Sequence, residues 1–453
     1  MQFIPNEPMK NKAFLFQFAI IAALLMCVLI QSFTHVVPMK PLNGFTNELA
    51  KKKLTFQSYY HGSYQDYLTQ YAKENTGFRE LFIRNYNQIA YSCFNKITNN
   101  NVVKGKNDEL FLKMYLDDIT GKRLQLFYPS VEEAKADAQR NVETTLALID
   151  TLKQHGTTFL FVFAPSKTGV FPELMPHSYQ AQISDFSLEE YYIELFKENN
   201  IPHIDFLNYF RSLKDTFPYP LYTKMGTHWS AATIPMVVDS VMRKLEALSG
   251  FDLPEIQYID DNPTTDYTLQ DEELEGQMNL LFPLPRPALP RPVFALGDTV
   301  GKDRPNLLGV GDSYFFQLRN SCFVDAFNHW DYWVYNREIQ ASRPYYHGKQ
   351  LKWVFDAAQV IEDADIVLAV FTAPFMYTFM CGFAKQALDH LQHGNLTHEE
   401  SIQATIAIIK ETPEWYQSIE QQAADKGIST EENLRSNAEY VLEQQRLERE
   451  QYQ

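Results

Sequence analysis

The stretch Ala13–Phe33, AFLFQFAIIAALLMCVLIQSF, constrains this chain more than any other segment, because only Gln17, Gln31 and Ser32 interrupt its apolar run. As a helix it rises about 31 Å, enough to cross the hydrocarbon core of a bilayer. Lys10 and Lys12 precede it, and the charge rule then places residues 1–12 in the cytoplasm. A cleaved signal peptide is the competing reading. Its apolar core would be unusually long, and Thr34-His35-Val36-Val37-Pro38 offers no small-x-small cleavage site. The expectation is an uncleaved transmembrane anchor over 13–33, with the remainder of the chain outside the cytoplasm.

The 453 residues could hold two or three domains, and an apolar content of 45% is ample for a large core. The net charge of −16 argues against a nucleic-acid partner, whose recognition calls for clustered Lys and Arg. It leaves open a neutral or acidic polymer bound through a local aromatic or basic cleft. Cys27 falls in the anchor, while Cys93, Cys322 and Cys381 are scattered, so no disulfide framework is legible. One pair could still bridge. His, Cys, Asp and Glu show no ligand spacing, and neither a metal nor a cofactor is expected.

Residues 34–58 look like a polar stalk. From Tyr59 to Asn95 the chain is aromatic and amphipathic, with Tyr64, Tyr67, Leu68, Tyr71 and Phe78 at helical spacings, a pattern that normally marks core packing. An α/β pattern follows. Val131–Gln154 has helical period and stops at His155-Gly156, and Thr157–Ala164 (TTFLFVFA) is a continuous apolar run of the kind found in strands buried on both faces. A helix at Leu188–Glu198, a strand at Ile201–Phe206 and a helix at Ala231–Leu248 come next. Past an acidic, proline-rich insertion (Asp252–Pro292), further strands lead into Ser313 and run from Asp365 to Phe371. Such alternation predicts a mainly parallel sheet flanked by helices, with ligands gathered beyond the carboxyl ends of the strands. Pro165–Lys167, Asp312-Ser313 and Thr372-Ala373 all fall at such ends. Residues 59–394 would form this α/β domain, and 395–453 a helical C-terminal extension in which Ser429-x-x-Glu432 fits a capping box.

Two segments carry chemistry. Gly311-Asp312-Ser313-Tyr314-Phe315 follows an apolar strand and precedes a helix, which lifts a small nucleophile out of the sheet. Gly226-Thr227-His228-Trp229-Ser230 offers a base. A serine hydroxyl is a poor nucleophile until an imidazole takes its proton, so the pair suggests acyl transfer with His228 activating Ser313.

With Asn75-Thr76-Gly77-Phe78-Arg79 and Ala164-Pro165-Ser166-Lys167, the blocks Thr227-His228-Trp229-Ser230 and Gly311-Asp312-Ser313 resemble the SGNH-hydrolase-like O-acetyltransferases of exopolysaccharide synthesis, the alginate O-acetyltransferase type. The likeness runs through most of Tyr59–Ala387. Simple SGNH esterases place the serine block first; here the histidine precedes the serine by 85 residues, as in the acetyltransferase branch. The resemblance implies an SGNH-hydrolase-like fold and a single-pass enzyme of the bacterial inner membrane with its catalytic domain in the periplasm. It would move acetyl groups onto a polysaccharide acceptor, with a multi-spanning membrane O-acyltransferase as acetyl donor. Ser313 would carry the acetyl group, its N–H would be one oxyanion donor, and His228 would act as base and then acid.

One position departs from the family. The acid expected two residues before the histidine, in D-x-H-W, is Gly226. Asp205, near a strand end, and Asp312, beside the serine, are the candidate replacements, although Asp312 equally suits a helix cap. Lys167 is a candidate substrate or oxyanion contact, or else an exposed loop lysine. Trp229 could stack on a sugar or pack beside the histidine. Two other functions share these residues: an acetylesterase, in which water replaces the acceptor, and a degenerate polysaccharide-binding or assembly subunit, which the missing acid favours.

Overall fold

A computed structural model describes residues 7–44, 52–260, 262–342, 350–351, 357–394, 397–411 and 413–451. Residues 1–6 of the expected cytoplasmic end, 45–51 of the expected stalk, and the break near 395 lie outside the described residues. The chain divides into two compact units, 1–103 with 273–286, and 104–272 with 287–453.

In the first unit, helix α1 (Glu7–Thr34) contains the apolar stretch, with mean hydropathy 2.7 over Lys12–Thr34. It is long and apolar enough to cross a membrane. Gln31 ends it by accepting from the Val37 N–H (3.1 Å) and donating to the Val37 carbonyl (2.7 Å), so one amide side chain turns the backbone off the helix. Helices α2 (Phe56–Tyr60), α3 (Ser63–Glu74) and α4 (Arg79–Phe94) follow. Here the expectation of core packing fails. Neither α2 nor α3 buries a residue, and Leu68 and Tyr71 are exposed. Helical spacing creates a stripe, but burial needs a second layer. The inward face of α4 instead carries Asn87 and Ala90.

The second unit is built on a seven-stranded sheet of described residues. Its strands are β1 (Thr158–Ala164), β2 (His203–Asp205), β3 (Leu307–Gly311), β4 (Trp330–Val334), β5 (Glu338–Ala341), β6 (Gln350–Leu351) and β7 (Ile366–Thr372). Their order is β6-β5-β4-β3-β7-β1-β2. Pairing is parallel from β4 through β2 and antiparallel at the β5 and β6 edge, so the sheet is mixed rather than wholly parallel. The sequence gives no clear signal for that edge, because its strands are short. Strands β1, β3 and β7 are almost wholly buried, as their unbroken apolar runs require. Helix α5 (Val131–Gln154) covers them with Ala134, Ala138, Val142, Leu148 and Leu152, is capped by Ser130, and stops before Gly156 at φ 78°. Helices at His398–Glu411, Pro413–Lys426 and Thr430–Gln451 enclose a small core of their own around Ile402, Ile409, Ile419 and Leu434. The Glu432 N–H donates to Ser429 Oγ, half of the expected capping box.

Register fixes where the strand ends lie. Thr372 pairs with Ala164, and Val370 with Gly311, so the segments after β1, β3 and β7 leave from one rim. Gly311 permits the closest approach: a Cβ there would sit 2.6 Å from the Val370 carbonyl oxygen. That neighbour is backbone and cannot rotate away. Gly311→Ala is therefore expected to destabilise the protein by about 1–3 kcal/mol, read as a lower thermal midpoint. An unchanged midpoint would show that β3 and β7 tolerate a wider spacing.

Candidate active site

Strand β3 delivers the serine. Its ladder continues one residue further through the Asp312 N–H to the Val370 carbonyl (3.1 Å), and the chain then turns. The turn is held by Asp312, whose Oδ1 accepts from the Tyr314 N–H (3.0 Å) and whose carbonyl accepts from the Phe315 N–H (3.1 Å). Helix α8 (Phe315–Arg319) begins there. Asp312 and Tyr314 are fully buried, and Ser313 between them stays partly accessible.

The histidine arrives on a loop gripped from both sides. Ahead of it, Lys167 is buried at 3% exposure, and its ammonium donates to the carbonyls of Leu110 (3.0 Å), Thr223 (2.7 Å) and Lys224 (3.2 Å) while pairing with Glu109 at 2.7 Å. Behind it, Ser230 donates its N–H to the Leu221 carbonyl (2.8 Å) and its hydroxyl to the Pro220 carbonyl (2.5 Å). The serine segment adds two more holds. The Tyr314 hydroxyl donates to the Thr227 carbonyl (2.7 Å), and the Gln317 amide donates to the Trp229 carbonyl (2.9 Å). Those carbonyls flank His228, whose ring lies 4.5 Å from the Tyr314 ring. His228 Nε2 then stands 2.8 Å from Ser313 Oγ. That distance is within proton-transfer reach when Nε2 carries the lone pair.

Tyr335 is a site residue that the sequence reading missed. It opens the turn between β4 and β5 with φ 49°, a conformation costly for a bulky side chain, and its N–H donates to the Gly311 carbonyl (2.8 Å). Burial chiefly, and then the Asp312 charge, push its phenol upward, while hydrogen bonding with Ser313 opposes the shift. The hydroxyl is thus kept protonated beside the serine. No local pattern in the sequence announces this, because the turn is set by pairing across strands.

The other candidates from the sequence take different places. Asp312 Oδ2 accepts from both the N–H (2.7 Å) and the hydroxyl (2.8 Å) of Thr372, so its carboxylate ties the serine turn to the end of β7. Burial pushes this carboxyl up, against the pull of the Tyr314 and Thr372 donors and the field of His228. Asp205 caps helix α7 (Phe206–Leu213): it accepts from the Asn208 N–H (3.0 Å) and side-chain amide (2.7 Å) and pairs with Lys197 at 3.0 Å. It does not orient the imidazole. Lys167 is neither an exposed loop lysine nor a group turned toward substrate, since a buried ammonium among four backbone oxygens and Glu109 is already satisfied. Trp229 is 0% exposed and packs on Phe206 and Tyr314, so it cannot stack on a sugar. At Gly226 a Cβ would meet the Gln270 carbonyl oxygen at 2.4 Å, which closes to any side chain the position where the acid was expected.

A mixed, mainly parallel α/β sheet whose central strand presents a serine against a loop histidine is an SGNH-hydrolase-like fold. Residues 102–300 match the family model described as SGNH hydrolase-like domain, acetyltransferase AlgX. The matched span includes His228 and ends before Ser313. Among solved structures it is similar to the O-acetyltransferase domain of Pseudomonas putida AlgJ, at 16% identity and TM-score 0.42, over 64% of this chain and 98% of that one. Pseudomonas aeruginosa AlgX matches at 16% identity and TM-score 0.43, over 66% of this chain and 69% of that one. Bacillus cereus PatB1 matches at 11% identity and TM-score 0.35, over 54% of this chain and 92% of that one. No curated protein matches the sequence. Likeness this distant leaves the chemistry to be argued from the residues.

Two substitutions check these placements. Asp205→Ala is expected to cost about 1 kcal/mol of stability at pH 7 through loss of the cap, and to leave turnover of an acetyl ester within about twofold of wild type. Burial pushes the Asp205 carboxyl up, but the Asn208 donors and Lys197 outweigh it and hold the group below its ordinary value. A depressed carboxyl stabilises the fold above its unfolded value near ~4 and loses that contribution as pH falls through the folded value. The difference between wild type and variant should therefore shrink below about pH 4. A large loss of turnover would return Asp205 to the site. Gly226→Asp restores the family acid on paper, yet it is expected to lower both the thermal midpoint and turnover, because the new side chain overlaps backbone. A gain in turnover would contradict that packing.

Proposed function

We propose that the protein is a membrane-anchored O-acetyltransferase, which moves acetyl groups onto hydroxyls of an extracellular or cell-surface polysaccharide through an acetyl-Ser313 intermediate. The observation carrying this reading is the 2.8 Å contact between His228 Nε2 and Ser313 Oγ in an acetyltransferase-family domain. In the first half-reaction Nε2 takes the hydroxyl proton as Oγ attacks the acetyl carbonyl. The imidazolium returns that proton to the leaving group, and the acetyl ester remains on Ser313. In the second half-reaction His228 deprotonates a sugar hydroxyl, which attacks the ester, and Oγ leaves with the proton restored.

Both tetrahedral intermediates carry a negative oxygen. The Ser313 N–H supplies one donor to that oxygen. The apolar helix α1 supports an anchor in the inner membrane with the domain in the periplasm. Acetyl groups would then arrive from the cytoplasmic side through a multi-spanning O-acyltransferase.

The closed Gly226 position favours a second reading, a polysaccharide-binding subunit without turnover. Purified full-length protein, wild type and Ser313→Ala, separates the two. Wild type should hydrolyse a chromogenic acetyl ester and, given an oligosaccharide, yield acetylated sugar by mass spectrometry. Ser313→Ala and His228→Ala are each expected to lose at least about a thousandfold in kcat. Equal rates for wild type and Ser313→Ala would remove the enzyme reading. Hydrolysis with no acetylated sugar would turn it into an esterase.

A further inference from the structure

Helix α4 has its polarity reversed. Its inward face carries Asn87, whose amide donates to the Met278 carbonyl (2.9 Å) and whose Oδ1 accepts from the Thr98 hydroxyl (2.7 Å). Its outward face carries Phe82, Tyr86 and Ile89 at 52%, 63% and 56% exposure. The spacing of four and then three residues aligns them along one side of the helix. A helix folded against water would turn these the other way. Contiguous exposed apolar surface of this kind marks contact with something that is not water.

The fold identifies the occupant through where α4 starts. The Gly77 N–H donates to Ser32 Oγ at 2.7 Å, and a Cβ at Gly77 would strike the Val28 carbonyl oxygen at 2.3 Å. The segment that opens α4 is therefore pressed onto the last turn of α1, which glycine alone allows. Arg84 adds a second tie, donating to the carbonyls of Lys40 (2.8 Å) and Pro41 (2.7 Å) in the chain that has just left α1. A helix that spans a bilayer has its ends at the two surfaces, and Gln31, Ser32 and Thr34 mark this end as polar. Phe82 stands five residues beyond Gly77, about 8 Å along a helix. In the helices that precede it, Phe56, Tyr59, Tyr60 and Tyr71 are also exposed, and such amphipathic rings favour the headgroup level.

We propose that the Phe82–Tyr86–Ile89 face of α4 seats in the interfacial layer of the bilayer that α1 crosses. The occupant is lipid, because the face begins at the membrane end of the anchor and joins aromatic rings to an aliphatic side chain. α1 and α4 then form one two-part membrane foot, in which a surface helix restricts how the anchored unit can tilt. This inference rests on the anchor reading above.

The test uses the full chain with Cys27, Cys93, Cys322 and Cys381 replaced by Ser, carrying single cysteines at Phe82, Tyr86 or Ile89. Leu24→Cys in α1 and Glu198→Cys on the surface of α6 (Leu188–Glu198) serve as references. After nitroxide labelling and reconstitution into phosphatidylethanolamine–phosphatidylglycerol vesicles, power saturation compares relaxation by oxygen, which concentrates in lipid, with relaxation by an aqueous nickel chelate. The three α4 positions are expected to share the oxygen preference of Leu24, with a ratio several-fold above that at Glu198. Nickel preference at all three, with oxygen preference kept at Leu24, overturns the proposal and spares the anchor. Nickel preference at Leu24 overturns both. Shielding of α4 from both reagents means that protein covers the face, and it also overturns the proposal. The unsubstituted chain in the same vesicles, photolabelled by a lipid-dissolved diazirine, is expected to be modified within residues 79–94. An unmodified α4 overturns the proposal even if the cysteine variants do not fold.

Discussion

The buried side chain of Tyr314 joins the two halves of the site. Its hydroxyl cannot be left without a partner in a dry interior, and it finds one in the Thr227 carbonyl. Its ring lies against both His228 and Trp229. Its N–H closes the Asp312 turn that presents Ser313. One residue therefore sets the serine, orients the loop that carries the histidine, and fills the space beneath both. The 2.8 Å approach of imidazole to hydroxyl is a consequence of that packing as much as of the two residues themselves.

Around this point the site is braced by buried polar groups. Asp312 holds Thr372 on the neighbouring strand, and the Asp312 carbonyl accepts from Tyr332 at 2.5 Å. Lys167 gathers the carbonyls that precede the histidine. Burying an ammonium is costly unless it is paired and fully hydrogen-bonded, and here it is both. A loop held by several charge-assisted bonds keeps an imidazole in place better than apolar contact could, since each bond carries a direction.

The first unit turns its apolar faces outward. Its apolar residues lie outward on α1 and α4, while Asn87 and Gln31 are turned inward and satisfied by backbone. Aromatic spacing from Tyr59 to Asn95 reads as core only under the assumption that water surrounds the protein. With lipid at the boundary, the same stripe is a surface.

What the sequence determined alone was local. The continuous apolar runs at β1, β3 and β7, the stop at Gly156, the serine at a strand end and the membrane-length helix all follow from patterns within a few residues of one another, because burial on two faces, chain reversal and helix length are short-range properties. The pairing of His228 with Ser313 was legible only as two compatible chemistries 85 residues apart. Tertiary structure decided the rest. It gave Asp205 to a helix cap, Lys167 to a buried clamp, Trp229 to the core and Tyr335 to the serine, and it closed Gly226 with the backbone of a distant segment. Those outcomes depend on which elements pack together, and no periodicity along the chain encodes a neighbour that arrives from elsewhere in it.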